Sequence, residues 1–397
     1  MINQEYRALG SSPSIIRELF MYGLKQAEKV GPENVFDFSL GNPSIPAPDE
    51  VTDSLREILE TEDPVQVHGY SSAAGFQETR EAVAADLRRR FGLDTQAEEI
   101  FMTCGAAPAL ISVIKALTAE KGSEILVLAP FFPEYRPFIE SNGAKCVVVP
   151  AFPPCFGINP AAIEPFLTAK SQAIIVNSPN NPSGAVYSEA DLLALADLLR
   201  RKSAEYGHPL YIIADEPYRE LVYDGTEVPF IPSLYENTVV CYSWSKSLSL
   251  PGERIGYVYV PSFAADSRDL FQAVAGAARI MGHVCPPTLI QKAVARCVRE
   301  RPDLAAYDEN RRLLYDALTG MGYECVKPEG AFYLFVKVPD GDAGAFSERA
   351  KTEHNLLVVP ADGFGSPGWM RLAYCVSRQT IVNSLPAFRA MIEECPE

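Results

Sequence analysis

The chain has 397 residues, of which 47% are hydrophobic and 22% are charged, and these values are ordinary for a soluble globular protein. This length allows two domains, or one large domain with a smaller satellite. The formal net charge of −16 argues against nucleic acid or an anionic membrane surface as a partner, because Lys and Arg supply the attraction to both.

Cysteines, histidines and the N-terminus bear on compartment and metal binding. Nine cysteines are scattered without a C-x-x-C pair, which favours buried free thiols in a reducing cytosol over a disulfide framework. The four histidines stand far apart, so we predict no metal site. The first residues lack the apolar core of a signal peptide, and no apolar run is long enough to span a membrane. We therefore expect a cytoplasmic protein.

The first hundred residues predict helices separated by small-residue loops. Apolar residues recur at helical spacing in residues 13–30, and a second helix is expected at 49–60. Between them, a short strand runs into a Gly/Pro loop, where Gly41 either lets a ligand approach the backbone or simply makes a turn. A loop that carries Tyr70 leads into a charged helix, which we expect to end at Gly92.

The run IFMTCGAAPALISVIKALT predicts a strand, a tight turn and a helix. Gly105, Ala106 and Ala107 form the turn. Free amides and the helix dipole point at such a turn, so it can receive an anion. By itself this signal is weak, since the chain has neither a G-x-G-x-x-G nor a Walker sequence.

From here, short apolar strands alternate with helical stretches. EILVLA, KCVVVP, AIIVNS, LYIIADE, VVCYSWS and GYVYVP are near-continuous apolar runs, which predict a mostly parallel sheet covered by helices on both faces. Ligands in such sheets bind at the carboxyl ends of the strands. Polar residues fall at those ends, in 177–182, 215–218 and 243–246.

The last third has a different pattern. Helices are expected at 289–322, with a break near Arg301, and at 343–355, while GAFYLFVKVP, LLVVP and MRLAYCV predict strands. This pattern indicates a second, smaller α+β unit. We predict a segment 1–45 that packs with the small domain, a large domain at 46–288 and a small domain at 289–397.

Lys246 lies at the centre of CYSWSKSLSLPGERIGYVYV, among serines and eight positions before Arg254. Burial or a neighbouring cation lowers the pKa of a lysine and makes its amine a nucleophile, as in Schiff bases with pyridoxal phosphate. Taken alone, Lys246 is better explained as a surface lysine in a Ser-rich loop.

The motifs taken together change that interpretation. NSPNNPSG, ADEPYRELVYDG, SWSKSLSLPGERIGY, GAFYLF and MRLAY, in this order and spacing, resemble the pyridoxal-phosphate-dependent aminotransferases of fold type I, class I/II, the group that contains aspartate aminotransferase. The resemblance spans about residues 35–380. It implies a large domain with a mostly parallel seven-stranded sheet between helices, a smaller α+β domain, and transfer of an amino group from an L-amino acid to a 2-oxo acid.

The resemblance also implies the catalytic residues. Lys246 would be the Schiff-base lysine that moves the proton at the substrate Cα. Arg254 would pair with the cofactor phosphate, and Asp215 would keep the pyridine nitrogen protonated. Tyr218 and Asn181 would hydrogen-bond the phenolic oxygen of the cofactor ring.

Further implied contacts complete this set. The amides of Gly105, Ala106 and Ala107, with Ser243, would bind the phosphate. Phe132 would stack on the pyridine ring, and Tyr70 would reach the phosphate from the neighbouring subunit, which implies a homodimer with shared active sites. Arg371 would clamp the substrate α-carboxylate in a pocket lined by Gly41 and Asn181.

Individually, several of these residues have ordinary explanations. Asp215 could cap a helix, Arg371 could form a surface ion pair, and the turn at Asn181 could be only a turn. Jointly these explanations fail, because unrelated turns and caps would not supply the partners of one cofactor.

The substrate stays open in the sequence. Some relatives that act on dicarboxylates supply a partner-subunit arginine near residue 280, where this chain has Arg279 followed by Ile280. An acidic or neutral amino donor with 2-oxoglutarate as acceptor is our main prediction. The alternatives are a β-C–S lyase or an aspartate β-decarboxylase on the same fold and, more remotely, a regulatory domain that binds the cofactor without catalysis.

Overall fold

The computed structural model describes residues 1–11 and 14–394, so the first residue of the predicted helix 13–30 lies outside the described part. The described α-helices are α1 (Gln4–Ser11), α2 (Ile15–Val30), α3 (Asp49–Thr61), α4 (Pro64–His68), α5 (Gln77–Phe91), α6 (Ala106–Leu117), α7 (Tyr135–Glu140), α8 (Pro160–Ile163), α9 (Glu189–Tyr206), α10 (Trp244–Ser247), α11 (Ser267–Ile280), α12 (Thr288–Cys297), α13 (Ala305–Met321), α14 (Ala343–His354) and α15 (Arg378–Glu393). The described strands are β1 (Phe36–Asp37), β2 (Ile100–Thr103), β3 (Glu124–Leu128), β4 (Lys145–Val149), β5 (Ser171–Asn177), β6 (Tyr211–Asp215), β7 (Thr238–Ser243), β8 (Gly256–Tyr259), β9 (Cys325–Val326), β10 (Tyr333–Lys337), β11 (Leu356–Leu357), β12 (Val359–Pro360) and β13 (Trp369–Ala373). Short 3-10 helices cover Pro32–Asn34, Ala97–Glu99, Glu164–Phe166, Ile231–Ser233 and Asp362–Phe364.

A seven-stranded sheet in the order β2-β8-β7-β6-β5-β3-β4 forms the centre of the large unit. β8 runs antiparallel to both of its neighbours, and the other neighbouring pairs are parallel. The prediction of a mostly parallel sheet is therefore confirmed. Asn177 lies opposite Asp215, and Asp215 lies opposite Cys241, so these strands end at the same edge.

Burial on both faces explains why the strands are apolar without alternation. Successive residues of β5 and β6 pack into two different cores. Ile174 and Ile212 belong to one, whereas Ile175 and Ile213 belong to the other. Helix α6 packs on the second face beside α11, and its N-terminus faces the edge where the parallel strands end.

The smaller unit contains an antiparallel sheet in the order β12-β13-β10-β9 and a parallel pair, β1-β11. The prediction of one strand over LLVVP was wrong. The segment divides, because β11 pairs with β1 whereas β12 pairs with β13. Between them, the carbonyl of Val358 accepts a hydrogen bond from the Ser347 hydroxyl.

The N-terminal segment and α12 bear on the domain boundaries. β1 pairs with β11, and α2 packs on β11 and β12, which supports a segment 1–45 that belongs with the small unit. In contrast, α12 packs on α3 and α5. We therefore propose that the small domain begins after Cys297 rather than at residue 289.

The described cysteines and helices bear on the expectations of free thiols and of no membrane span. The eight described cysteines are free thiols, but only four of them are buried, three are half-buried and Cys155 is exposed. Cys395 lies outside the described residues. Among the helices of residues 1–11 and 14–394, none is both long and apolar enough to cross a membrane.

Candidate active site

A cavity of about 500 Å³ opens at the carboxyl edge of the large sheet. Strand ends, the N-terminus of α6, the start of α2 and the small unit all contribute to it. Its lining includes most of the predicted site residues, namely Gly41, Ala106, Ala107, Phe132, Asn181, Asp215, Tyr218, Ser243, Lys246, Arg254 and Arg371.

Lys246 is partly buried on α10, directly after β7. Its Nζ donates a hydrogen bond to the carbonyl of Gly41 at 2.6 Å. Burial is the main cause that lowers the pKa of the amine to about 8; Cys375 opposes the shift, and Arg371 and Arg254 contribute to it. The amine can therefore lose its proton near neutral pH, which a nucleophilic lysine requires.

Asp215 ends β6 and is buried. The Tyr135 hydroxyl donates a hydrogen bond to its Oδ2. Its Oδ1 is buried without a hydrogen-bond partner in the described chain. Burial raises the pKa of this carboxyl to about 7, although Tyr135 acts in the opposite direction. A buried carboxylate with one unpartnered oxygen and a raised pKa would be stabilised by a cationic donor from outside the protein.

Arg371 is 2% exposed on β13. Its guanidinium donates to Asn181 Oδ1 at 3.1 Å and to the Ser39 carbonyl, and lies 4.6 Å from the ring centre of Tyr333. Within the described residues it pairs with no carboxylate, and its Nε has no hydrogen-bond partner. A buried guanidinium without a counterion is costly, so an incoming carboxylate would be bound strongly here.

The turn before α6 faces Arg254. Gly105 caps this helix with φ +92°, a conformation that favours glycine. A Cβ at Gly105 would lie 2.8 Å from Nη2 of Arg254, so the guanidinium lies against the turn. The first amides of a helix have no intrahelical partner, and Ala106 and Ala107 therefore offer donors to an anion at this end of the cavity.

The Tyr218 hydroxyl lies 2.9 Å from that of Tyr333, and both side chains are buried. Burial raises the pKa of both phenols, that of Tyr333 to about 12, so both are protonated at neutral pH. Phe132 also lines the cavity and packs edge-on against Tyr135 with ring centres 5.7 Å apart.

The sequence predicted no role for four residues at the site, namely Tyr135, which donates to Asp215, and the cavity residues Tyr333, Ser245 and Arg17. Tyr333 lies in the motif GAFYLF, and Tyr135 lies three positions after the predicted Phe132. Ser245 and Arg17 also line the cavity, but a serine beside a lysine and an arginine in an amphipathic helix carry no signal of their own.

Tyr70 and Arg279 lie elsewhere on their own chain. Tyr70 is 87% exposed and lines a separate surface depression with Val65 and Lys292. Arg279 is the penultimate residue of α11, followed by the exposed Ile280. A contribution from either residue to a partner's cavity stays a prediction.

One described group of side chains, Glu353, His354 and Glu394, lies close enough together to share a metal ion. Both glutamates are exposed, and none of the three lines the cavity. Exposed acidic groups are common without an ion, so this group supports no metal role in the site.

Comparisons with known proteins agree with this geometry. The family model described as "Aminotransferase class I and II" matches residues 33–387. Aromatic-amino-acid aminotransferase 2 of Thermococcus litoralis is 31% identical over 96% of each chain, and the aspartate aminotransferase of Pyrococcus abyssi is 29% identical over the same share. A solved structure of an amino transferase from Eubacterium rectale superposes with a TM-score of 0.97 at 51% identity and covers 100% of each chain.

Proposed function

We propose pyridoxal 5'-phosphate as the cofactor and an L-amino acid and a 2-oxo acid as the substrates of this chain, which belongs to the class I and II aminotransferase family. The chain is an aminotransferase of fold type I.

One observation carries the proposal. Lys246, Asp215 and Arg371 line one cavity, and none of the three forms an ion pair within the described chain. Proteins rarely leave buried charges unpaired, since each costs free energy that only a partner recovers. A cofactor with an aldehyde for Lys246 and a cationic ring nitrogen for Asp215, together with a substrate whose carboxylate pairs with Arg371, would satisfy all three.

The residues present fit the cofactor. The partnerless Oδ1 of Asp215 suits a protonated pyridine nitrogen, and Tyr218 with Asn181 suits the phenolic oxygen. Ala106, Ala107, Ser243 and Arg254 suit the phosphate, with Gly105 shaping their turn. When bound, the cofactor supplies an aldehyde for Lys246 and an electron sink that stabilises negative charge at the substrate Cα.

The chain's own groups then act as follows. Arg371 holds the substrate carboxylate and so fixes which bond at Cα faces Lys246. Lys246, whose pKa is lowered to about 8, would accept the Cα proton as a general base and would return a proton to the cofactor carbon that is bonded to the substrate nitrogen. Asp215 keeps its charge opposite the ring nitrogen, and Phe132 limits ring movement by stacking.

The substrate side of the cavity combines apolar and basic side chains. Ile16, Phe20 and Leu40 line it together with Arg17. Relatives are named for aspartate and for aromatic amino acids. We propose an acidic or neutral L-amino acid as donor and 2-oxoglutarate as acceptor, and we assign no role to Arg279 in binding them.

We also propose a cytoplasmic homodimer with shared active sites. Val65, Tyr70, Ile280 and Val284 are large side chains that stay exposed on the single chain. The segments that carry them adjoin, because the Thr288 hydroxyl donates to the Val67 carbonyl at 2.8 Å. This surface supports an interface through which Tyr70 could reach the other subunit's phosphate turn.

The test is spectroscopic and covalent. Protein purified with pyridoxal phosphate should show a visible absorbance band that vanishes when the true amino donor is added and returns with a 2-oxo acid. Borohydride reduction followed by peptide mass mapping should label Lys246. The variant Lys246→Ala should lose both the band and transamination, whereas Lys25→Ala, at an exposed lysine of α2, should keep both.

Two results would contradict the proposal. Labelling of another lysine would refute the assignment of Lys246. Pyruvate and ammonia, or alanine, formed without an added 2-oxo acid would indicate a lyase or a decarboxylase instead.

A further inference from the structure

Tyr333 contacts two predicted functional groups at once. It begins β10, where it lies diagonally across from Arg371 on β13, because Tyr333 pairs with Ala373 and Phe335 pairs with Arg371. Its ring lies under the Arg371 guanidinium, and its hydroxyl lies 2.9 Å from that of Tyr218. At 2% exposure, the side chain is packed in the core of the small unit.

The direction of the hydrogen bond follows from counting protons. In the ligand-free protein either hydroxyl can donate. A phenol has one proton, so once Tyr218 donates it to the cofactor's ring oxygen, the Tyr218 oxygen can only accept from Tyr333. A donor that is itself hydrogen-bonded in this way is polarised and donates more strongly.

We propose that Tyr333 is a positioning residue that strengthens the hydrogen bond from Tyr218 to the cofactor while its ring supports the carboxylate-binding Arg371. This inference rests on the proposed function, since it assigns Tyr333 a part in the same site. Gly41 belongs to the arrangement, because its backbone leaves room for the hydroxyl. A Cβ there would lie 2.1 Å from the Tyr333 oxygen.

Charged and titratable groups also surround the Tyr218 and Tyr333 phenols. Asp215 and Arg371 face Tyr218, while Arg371 and Cys375 face Tyr333. Because burial raises the pKa of both phenols, that of Tyr333 to about 12, neither loses its proton in the working range of an enzyme. A protonation change seen in the visible spectrum near neutral pH would therefore belong to neither phenol.

The test compares the holoenzyme with its Tyr333→Phe variant, which keeps the ring and removes the hydroxyl. The visible band is titrated with pH. When the Lys246 nitrogen is unprotonated, the ring oxygen carries its full negative charge and depends most on Tyr218. A weaker donor destabilises that state, so the midpoint in Tyr333→Phe should rise by about 0.5 to 1 pH unit.

A matched control separates this effect from lost stability. Tyr223 is buried in the same core, and its hydroxyl donates to the Ala331 carbonyl at 2.6 Å. Tyr223→Phe should lower the melting temperature as a lost buried hydrogen bond does, yet leave the midpoint unchanged. An unchanged midpoint in Tyr333→Phe, or equal shifts in both variants, overturns the inference.

A second variant covers the case in which Tyr333→Phe does not fold. Gly41→Ala leaves Tyr333 in place but forces its hydroxyl to move, so the midpoint should again rise. A midpoint that stays or falls in Gly41→Ala contradicts the inference. If wild type and Tyr223→Phe bind pyridoxal phosphate without any visible band, the proposed function itself fails. If both show a normal titration and only the midpoint shift of Tyr333→Phe or Gly41→Ala is missing, the role of Tyr333 alone fails.

Discussion

The replacement Asp215→Asn should change the stability of the cofactor-free protein, relative to wild type, by an amount that becomes more favourable as the pH rises. An ordinary aspartate has a pKa of 3.8, and burial raises that of Asp215 to about 7. Between these values the folded protein binds a proton that the unfolded chain has lost. The free energy of unfolding of wild type therefore falls as pH rises through this window, and the full cost is present above about pH 7.

The magnitude follows from that pKa. Between pH 5.5 and pH 8, ionising this carboxyl in its buried position costs about 2 kcal/mol. Asn cannot ionise, so the difference in unfolding free energy between Asp215→Asn and wild type should grow by about that amount over the same interval. Any constant cost of the buried amide cancels in this comparison.

The assay is urea denaturation of both cofactor-free proteins, followed by circular dichroism at several pH values. Asp197→Asn is the control, because Asp197 is exposed and, within the described residues, forms an ion pair only with the exposed Arg200, so its curve should run parallel to wild type. Adding pyridoxal phosphate should remove the pH-dependent loss from wild type, since a cationic ring nitrogen would pair with the carboxylate. Parallel curves for Asp215→Asn and wild type would refute the argument.

Three further predictions concern the other buried groups. Tyr135→Phe removes the hydrogen bond that lowers the pKa of Asp215, so the Kd for pyridoxal phosphate should rise by about 10- to 100-fold in a fluorescence titration; an unchanged Kd would contradict this. Arg371→Leu should raise the KM of amino donors by about 100-fold while the visible band stays, as steady-state assays would show, and loss of the band instead would place Arg371 at the cofactor. Because the pKa of Lys246 is lowered to about 8 and only the neutral amine attacks an aldehyde, the rate of cofactor capture in stopped-flow absorbance should rise with pH and level off above about 8; a rate that still climbs at pH 10 would argue against a buried amine.

Much of the fold was predictable because local pattern and tertiary environment agree. The near-continuous apolar runs belong to strands covered on both faces, and the strands from β3 to β8 lie where those runs predicted them. The polar residues after β5, β6 and β7 had to meet, because the carboxyl ends of parallel strands gather at one edge. The division of LLVVP between two sheets was not predictable, since its residues are equally suited to either partner.

The amino-acid sequence alone determined the class of fold and the edge of the sheet at which the site lies, because periodicity and residue order are local properties. Only the tertiary structure decided which groups meet inside that site. Tyr135 reaches Asp215 across 80 positions, and Arg371 reaches Asn181 across 190. The first contact depends on how α7 packs beside the large sheet, and the second depends on how the small unit packs against it. No local pattern in the chain encodes either contact.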